Sequence, residues 1–101
     1  MDNLHLPPMD PGDSIAVITV NWNGAEDTLD CLRSLVDSGI DPSSIIVVDN
    51  GSKDDSVERI RGEMPSLEMM EMGENLGYIR GVNRGISRAL ASGARMILLI
   101  N

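Results

Sequence analysis

A chain of 101 residues, 42% of them hydrophobic and 24% charged, is the size of one globular domain with one core. Its 16 acidic and 8 basic side chains give a formal charge of -8, a field that repels nucleic acid at long range. A small phosphorylated ligand stays compatible with that charge, because short-range hydrogen bonds from backbone amides and one or two arginines outweigh a screened net field. The lone cysteine, Cys31, excludes an intrachain disulfide and suits a reducing compartment, and with His5 as the lone histidine a His/Cys zinc site is excluded as well.

Residues 1–13 carry acids and three prolines where a signal peptide would carry bases and an apolar run, so they predict a loose tail on a cytoplasmic protein. No apolar stretch approaches the ~20 residues that span a bilayer. Residues 14–101 therefore predict the folded domain. With no Phe, one Trp and one Tyr, its core must be built from aliphatic side chains between sheet and helices.

The β-branched run from Ser14 to Val20 predicts a central strand buried on both faces. Glu26 to Ser38 follows as an amphipathic helix, with Leu29, Leu32, Leu35 and Val36 at spacings of three and four and Gly39 as its stop. Ile45 to Val48 is a second, fully apolar strand bracketed by turn residues. A second helix is predicted from Ser52 to Asp55, where hydroxyl and carboxylate groups can cap free amides, through Val57, Ile60 and Met64 to Pro65. Leu67 to Met72 predicts a third strand, placed at a sheet edge by Glu68 and Glu71. Tyr78, Val82, Ile86, Ala89 and Leu90 then recur at helical spacing up to Gly93, and Met96 to Ile100 is a fourth strand.

The order β-α-β-α-β-α-β with short connections requires an α/β fold: a Rossmann-like parallel sheet with right-handed crossovers. Such sheets bind ligands beyond the carboxyl ends of their strands, where the strand order reverses. Polar clusters fall at those ends: Asn21-Trp22-Asn23-Gly24 after strand one, Asp49-Asn50-Gly51-Ser52 after strand two, and Asn101 after strand four.

Each cluster has a chemical and a plain reading. Asn21 and Asn23 offer amide donors and acceptors to a planar base, or make a strand-to-helix turn and cap the helix. Trp22 is a ligand contact or a core plug. Asp49 accepts a hydrogen from the ring N–H of uracil or thymine, or closes an Asx turn in which Gly51 takes a positive φ; Gly51 and Ser52 are read as turn and cap. Gly73, Gly77, Gly81 and Gly85 recur every fourth residue, and glycine costs about 1 kcal/mol against alanine inside a helix, so Gly81 and Gly85 need a packing or ligand-approach reason. Arg80, Arg84 and Arg88 form one basic stripe that reads as a solvated face, with Arg80 nearest the helix start where a diphosphate would be drawn. Neither a Gly-x-Gly-x-x-Gly after strand one nor a phosphate loop is present. A receiver-like domain would need an acidic pair where Asn21-Trp22-Asn23 stands.

Taken together, Val-Asn-Trp-Asn-Gly at 20–24, Val-Val-Asp-Asn-Gly-Ser at 47–52, Asn-Leu-Gly-Tyr at 75–78 and Asn-Arg-Gly-Ile at 83–86 resemble family-2 glycosyltransferases, and among them the rhamnosyltransferase-like members. The resemblance runs from about Ser14 to Asn101 and implies the N-terminal, nucleotide-binding half of a GT-A type fold. It implies a nucleotide-binding set of Val20, Asn21, Trp22, Asn23, Asp49, Asn50, Asn75, Gly77 and Asn83, to which the helix-start reading adds Arg80; Ile79, Arg80 and Val82 depart from the small or polar residues of the family pattern.

The resemblance further implies a nucleoside diphosphate sugar as donor, of uridine or thymidine type, and a glycan or lipid-linked acceptor, as in cell-wall or polysaccharide biosynthesis. Mg or Mn is implied for the complete enzyme, bound by an Asp-x-Asp-like motif after Leu-Leu-Ile-Asn at 98–101. The sequence stops before that motif, so these residues are expected to bind nucleotide without metal or turnover. The complete protein would act in the cytoplasm or at the inner membrane face. A noncatalytic module binding nucleotide or a partner is the alternative, and apolar surface on strand four predicts self-association.

Overall fold

The computed structural model describes residues 14–100, so the expected tail at 1–13 and the polar residue Asn101 lie outside it. Seven elements alternate: β1 (Ile15–Asn21), α1 (Ala25–Asp37), β2 (Ile45–Asp49), α2 (Ser56–Glu63), β3 (Glu68–Glu71), α3 (Tyr78–Ala91) and β4 (Met96–Ile100), with a 3-10 turn at Pro42–Ser44 before β2. The alternation is the predicted one. The third strand is shorter than the apolar run that marks it, and α2 begins at Ser56, where the Asp54 carboxylate accepts from the Ser56 amide. Gly39 and Gly93 end α1 and α3, each followed by a backbone hydrogen bond back into the helix, from Ile40 to Leu35 and from Ala94 to Ala89.

All four strands are parallel, in the order β3-β2-β1-β4. The chain steps outward from β1 to β3 and then crosses back to place β4 on the other side of β1. The strand order therefore reverses at β1, and the rim above β1 is where such a sheet opens a crevice.

Two cores sit on the two faces. Val17, Ile45, Val47 and Ile100 meet Leu29, Leu32 and Leu35 of α1 and Ile60 of α2 on one side. Ala16, Ile18, Ile46 and Val48 meet Ala89 of α3 on the other. Full burial of side chains such as Leu32, Leu35 and Ile60 contributes about 1.5–3 kcal/mol each. The α3 side is the thinner one, and its glycines explain why. A Cβ on Gly85 would stand 2.7 Å from Ile18 Cγ2 and 3.1 Å from Val48 Cγ2, so the helix backbone lies directly on the sheet. Packing is thus sufficient reason for the glycine on this face.

One expectation for α3 is corrected. Leu90 is 61% exposed, because the buried face is set by Gly81, Val82, Gly85 and Ala89, and Leu90 lies a further 100° round the helix. Arg80, Arg84 and Arg88 are all exposed, as on a solvated face, and Arg88 Nε donates to Glu68 Oε2 at 2.6 Å.

The sheet edges differ. β3 carries Glu68, paired with Arg88, and Glu71, paired with Arg61 at 2.9 Å. β4 is uncharged along its length, and Leu99 is 44% exposed. On the outer surface α1 and α2 are joined by Arg33, whose guanidinium forks onto both Glu63 oxygens at 2.6 Å, and by Arg59 with Glu26. No helix among the described residues is long and apolar enough to cross a membrane.

Candidate nucleotide site

The parallel register sets Asn21 beside Asp49 at the carboxyl ends of β1 and β2, and both side chains are buried, at 1% and 3% exposure. A carboxylate only accepts, so the amide nitrogen of Asn21 must face it, and Asn21 Nδ2 donates to Asp49 Oδ1 at 2.9 Å. The same nitrogen donates to Ser52 Oγ at 3.2 Å. The amide oxygen is thereby turned toward α1, where the Thr28 hydroxyl donates to it at 2.6 Å.

Ser52 completes the cluster. Its hydroxyl donates to Asp49 Oδ1 at 2.7 Å and accepts from the Asn23 amide at 2.9 Å, while its own amide donates to Asp49 Oδ2 at 3.0 Å. The last bond reaches three residues on, one beyond an Asx turn, while Gly51 takes the positive φ, 79, that the turn reading expects. It still leaves room for a ligand: Oδ1 is filled by two donors, and Oδ2 has one. Asn23 lies in the left-handed region at φ 49, which Asn tolerates, and its side-chain oxygen accepts from the Lys53 amide at 2.8 Å. The loops after β1 and β2 are therefore cross-linked by side chains.

Gly51 is doubly constrained, since a Cβ there would also stand 2.5 Å from the carbonyl carbon of Glu74. That closeness brings the segment before α3 onto the rim. Asn50 fastens it, accepting from the Leu76 amide and donating to the Gly77 carbonyl, both at 3.0 Å. Asn75 accepts from the Gly77 amide at 2.8 Å and is exposed.

Beside Asn21 lies a cavity of about 230 Å³, lined by Thr19, Val20, Asn21, Trp22, Gly24, Asp27, Thr28 and Cys31. Trp22 is 55% exposed, which removes the core-plug reading and leaves an aromatic face at the cavity mouth. Burial pushes the Cys31 thiol up from its ordinary pKa, away from nucleophile chemistry. A second cavity of about 270 Å³ lies at the amino ends of the strands, where Glu68 and Arg88 neutralise each other among serine hydroxyls. The polar clusters are all at the opposite end, and the rim cavity is the candidate site.

Of the residues singled out in the sequence, the structure gathers Val20, Asn21, Trp22, Asn23, Asp49 and Asn50 at one rim, with Asn75 and Gly77 attached through Asn50. Arg80 and Asn83 are not brought into that hydrogen-bonded cluster. Both are exposed on α3, turned from the face that its buried residues press on the sheet. Thr28 and Ser52 join the site without having been singled out for it by sequence. The signal for Ser52 is its place three residues after Asp49. For Thr28 it is a hydroxyl in the first turn of the helix that follows the polar loop.

Among the described residues no group of three or more His, Cys, Asp or Glu side chains could hold a metal ion, and Asp49, the carboxylate of the cluster, already accepts from three donors.

The family model described as glycosyl transferase family 2 matches residues 14–99, which takes in every strand and helix of the fold except Ile100 at the end of β4. None of the curated proteins matches the chain.

Proposed function

The chain belongs to glycosyl transferase family 2, and from that premise we propose that its rim recognises the nucleoside of a nucleoside diphosphate sugar, the donor class this family generally uses. The observation that carries the proposal is the buried Asp49 carboxylate, held by Asn21 and Ser52 with acceptor capacity left on Oδ2, next to Asn21, which lines a cavity together with the exposed Trp22. An acceptor in that position favours a base with a ring N–H, as uracil and thymine have, over cytosine, whose equivalent nitrogen is a lone pair. Trp22 would supply a stacking face, and base–aromatic stacking is worth ~1–3 kcal/mol.

Arg80 stands in the first turn of α3 and is the side chain proposed to reach the diphosphate, aided by the helix start. Glycosyl transfer would then go to a glycan or lipid-linked acceptor in the cytoplasm or at the inner membrane face. A divalent ion, where the complete enzyme uses one, would neutralise the leaving diphosphate through ligands other than those described. Titration with UDP, dTDP, GDP and CDP, followed by backbone amide shifts, tests the reading. Shifts clustered at Asn21 to Asn23 and Asp49, strongest with UDP or dTDP, are expected. Their absence at millimolar ligand removes the site.

A further inference from the structure

We propose that Thr28 and Ser52 are positioning residues that aim the Asp49 carboxylate, so that base selectivity depends on two hydroxyls in addition to the carboxylate itself. The inference rests on the nucleoside-binding reading and goes beyond it by assigning the selectivity to a chain of groups. Thr28 donates to Asn21 Oδ1 at 2.6 Å, and Asn21 Nδ2 donates to Asp49 Oδ1 at 2.9 Å. Ser52 adds its hydroxyl at 2.7 Å to the same oxygen and its amide at 3.0 Å to the other.

The count of hydrogens and lone pairs closes over the chain. The Thr28 hydroxyl has one proton and gives it to Asn21 Oδ1. Both amide protons of Asn21 are used, one on Asp49 and one on Ser52 Oγ. Ser52 Oγ donates once and accepts twice, the second time from the Asn23 amide. Asp49 Oδ1 is full, so what remains for a ligand is on Oδ2 alone.

The cluster is also buried: Thr28 is 8% exposed, and Asn21 and Asp49 less. Burial makes each bond expensive to leave unmade, so removing the Thr28 proton strands Asn21 Oδ1 without its donor, and the amide shifts to recover one at the cost of its bond geometry to Asp49. The carboxylate is then held chiefly by Ser52, and the acceptor aimed at the base is less tightly directed. Thr28 need not touch the base for this; it acts through Asn21.

The test compares Thr28→Val, which keeps the shape and removes the proton, with Thr28→Ser, which keeps the proton. Two readouts are taken on the full chain: the side-chain amide resonances of Asn21 without ligand, and the ratio of UDP to CDP affinity. In Thr28→Val the Asn21 resonances should shift and broaden, and the ratio should fall about fivefold to tenfold, the scale of one buried hydrogen bond. Thr28→Ser should restore both. Unmoved Asn21 resonances overturn the positioning role whatever the ligand does. Shifted resonances with an unchanged UDP-to-CDP ratio overturn the link to selectivity. A parent chain that binds neither nucleotide while the resonances shift as described sinks the nucleoside reading instead, with the hydroxyl chain surviving as a fold element. If Thr28→Val does not fold, Thr28→Ala serves for the resonances and Ser52→Ala for the ratio, with the same criteria.

Discussion

The two halves of the ligand rim are built on opposite plans. After β1 and β2, the buried Asn21 and Asp49, the half-buried Ser52 and the exposed Asn23 lock loop to loop. Before α3, the segment from Glu74 to Gly77 is hydrogen-bonded to that block through the side chain of Asn50, while Glu74 and Asn75 are exposed. The first half is preorganised, which spares a ligand the cost of ordering it. The second is tied down by fewer side-chain bonds, which makes it the more adaptable half.

Gly51 sits where the halves touch, so replacing it should have the largest effect. Gly51→Ala meets both an unfavourable φ and the backbone of Glu74. A loss of about 3 kcal/mol or more is expected in chemical denaturation, from the sum of backbone strain and overpacking. A loss under about 1 kcal/mol would mean that the two halves are not in firm contact. Next comes Asn50→Ala, which removes two partly buried hydrogen bonds and should cost about 2 kcal/mol. It should also speed amide exchange at Leu76 and Gly77 while leaving Asn23 and Ser52 protected. Equal acceleration in both halves would erase the distinction between them.

Arg80→Ala probes the adaptable half without disturbing the fold. Stability should stay within about 0.5 kcal/mol, and binding of UDP should weaken more than binding of uridine, by about threefold to tenfold. Equal weakening for both ligands would remove the diphosphate role. The smallest effect is expected far from the rim, at the pairs joining α1 to α2. Arg33 and Arg59, through their hydrogen bonds, hold the Glu63 and Glu26 carboxyls below the usual carboxylate range of about 4.5. Their folded pKa values are depressed, so their support is present above pH 4.5 and fades as the pH falls through the folded values. Both pairs are solvent-exposed, so the effect should be small and should shrink further in high salt, as denaturation at several pH values would show.

Much of the fold is legible in the sequence alone. β-branched runs mark β1 and β2, Glu68 and Glu71 mark an edge, and the glycine spacing of α3 announces close packing, which Gly85 against Ile18 explains. What escapes is whatever depends on register across long separations. Asn21 meets Asp49 only because β1 and β2 pair in parallel with those residues level, and Ser52 and Thr28 acquire their partners from the same alignment. Arg88 finds Glu68 across the crossover from β3, beyond the reach of helical spacing. Periodicity misplaces Leu90 because a helix whose inner face is made of glycine and alanine hides its true orientation from a hydrophobic pattern.

The glycine face of α3 has one more consequence. A helix seated with its backbone against Ile18 and Val48 has no slack, so it behaves as a lever whose pivot is Gly85 and whose free end is Gly77 at the rim. A single methyl added at the pivot would tilt the lever, and the place to look for that tilt is the hold of Asn50 on the far end.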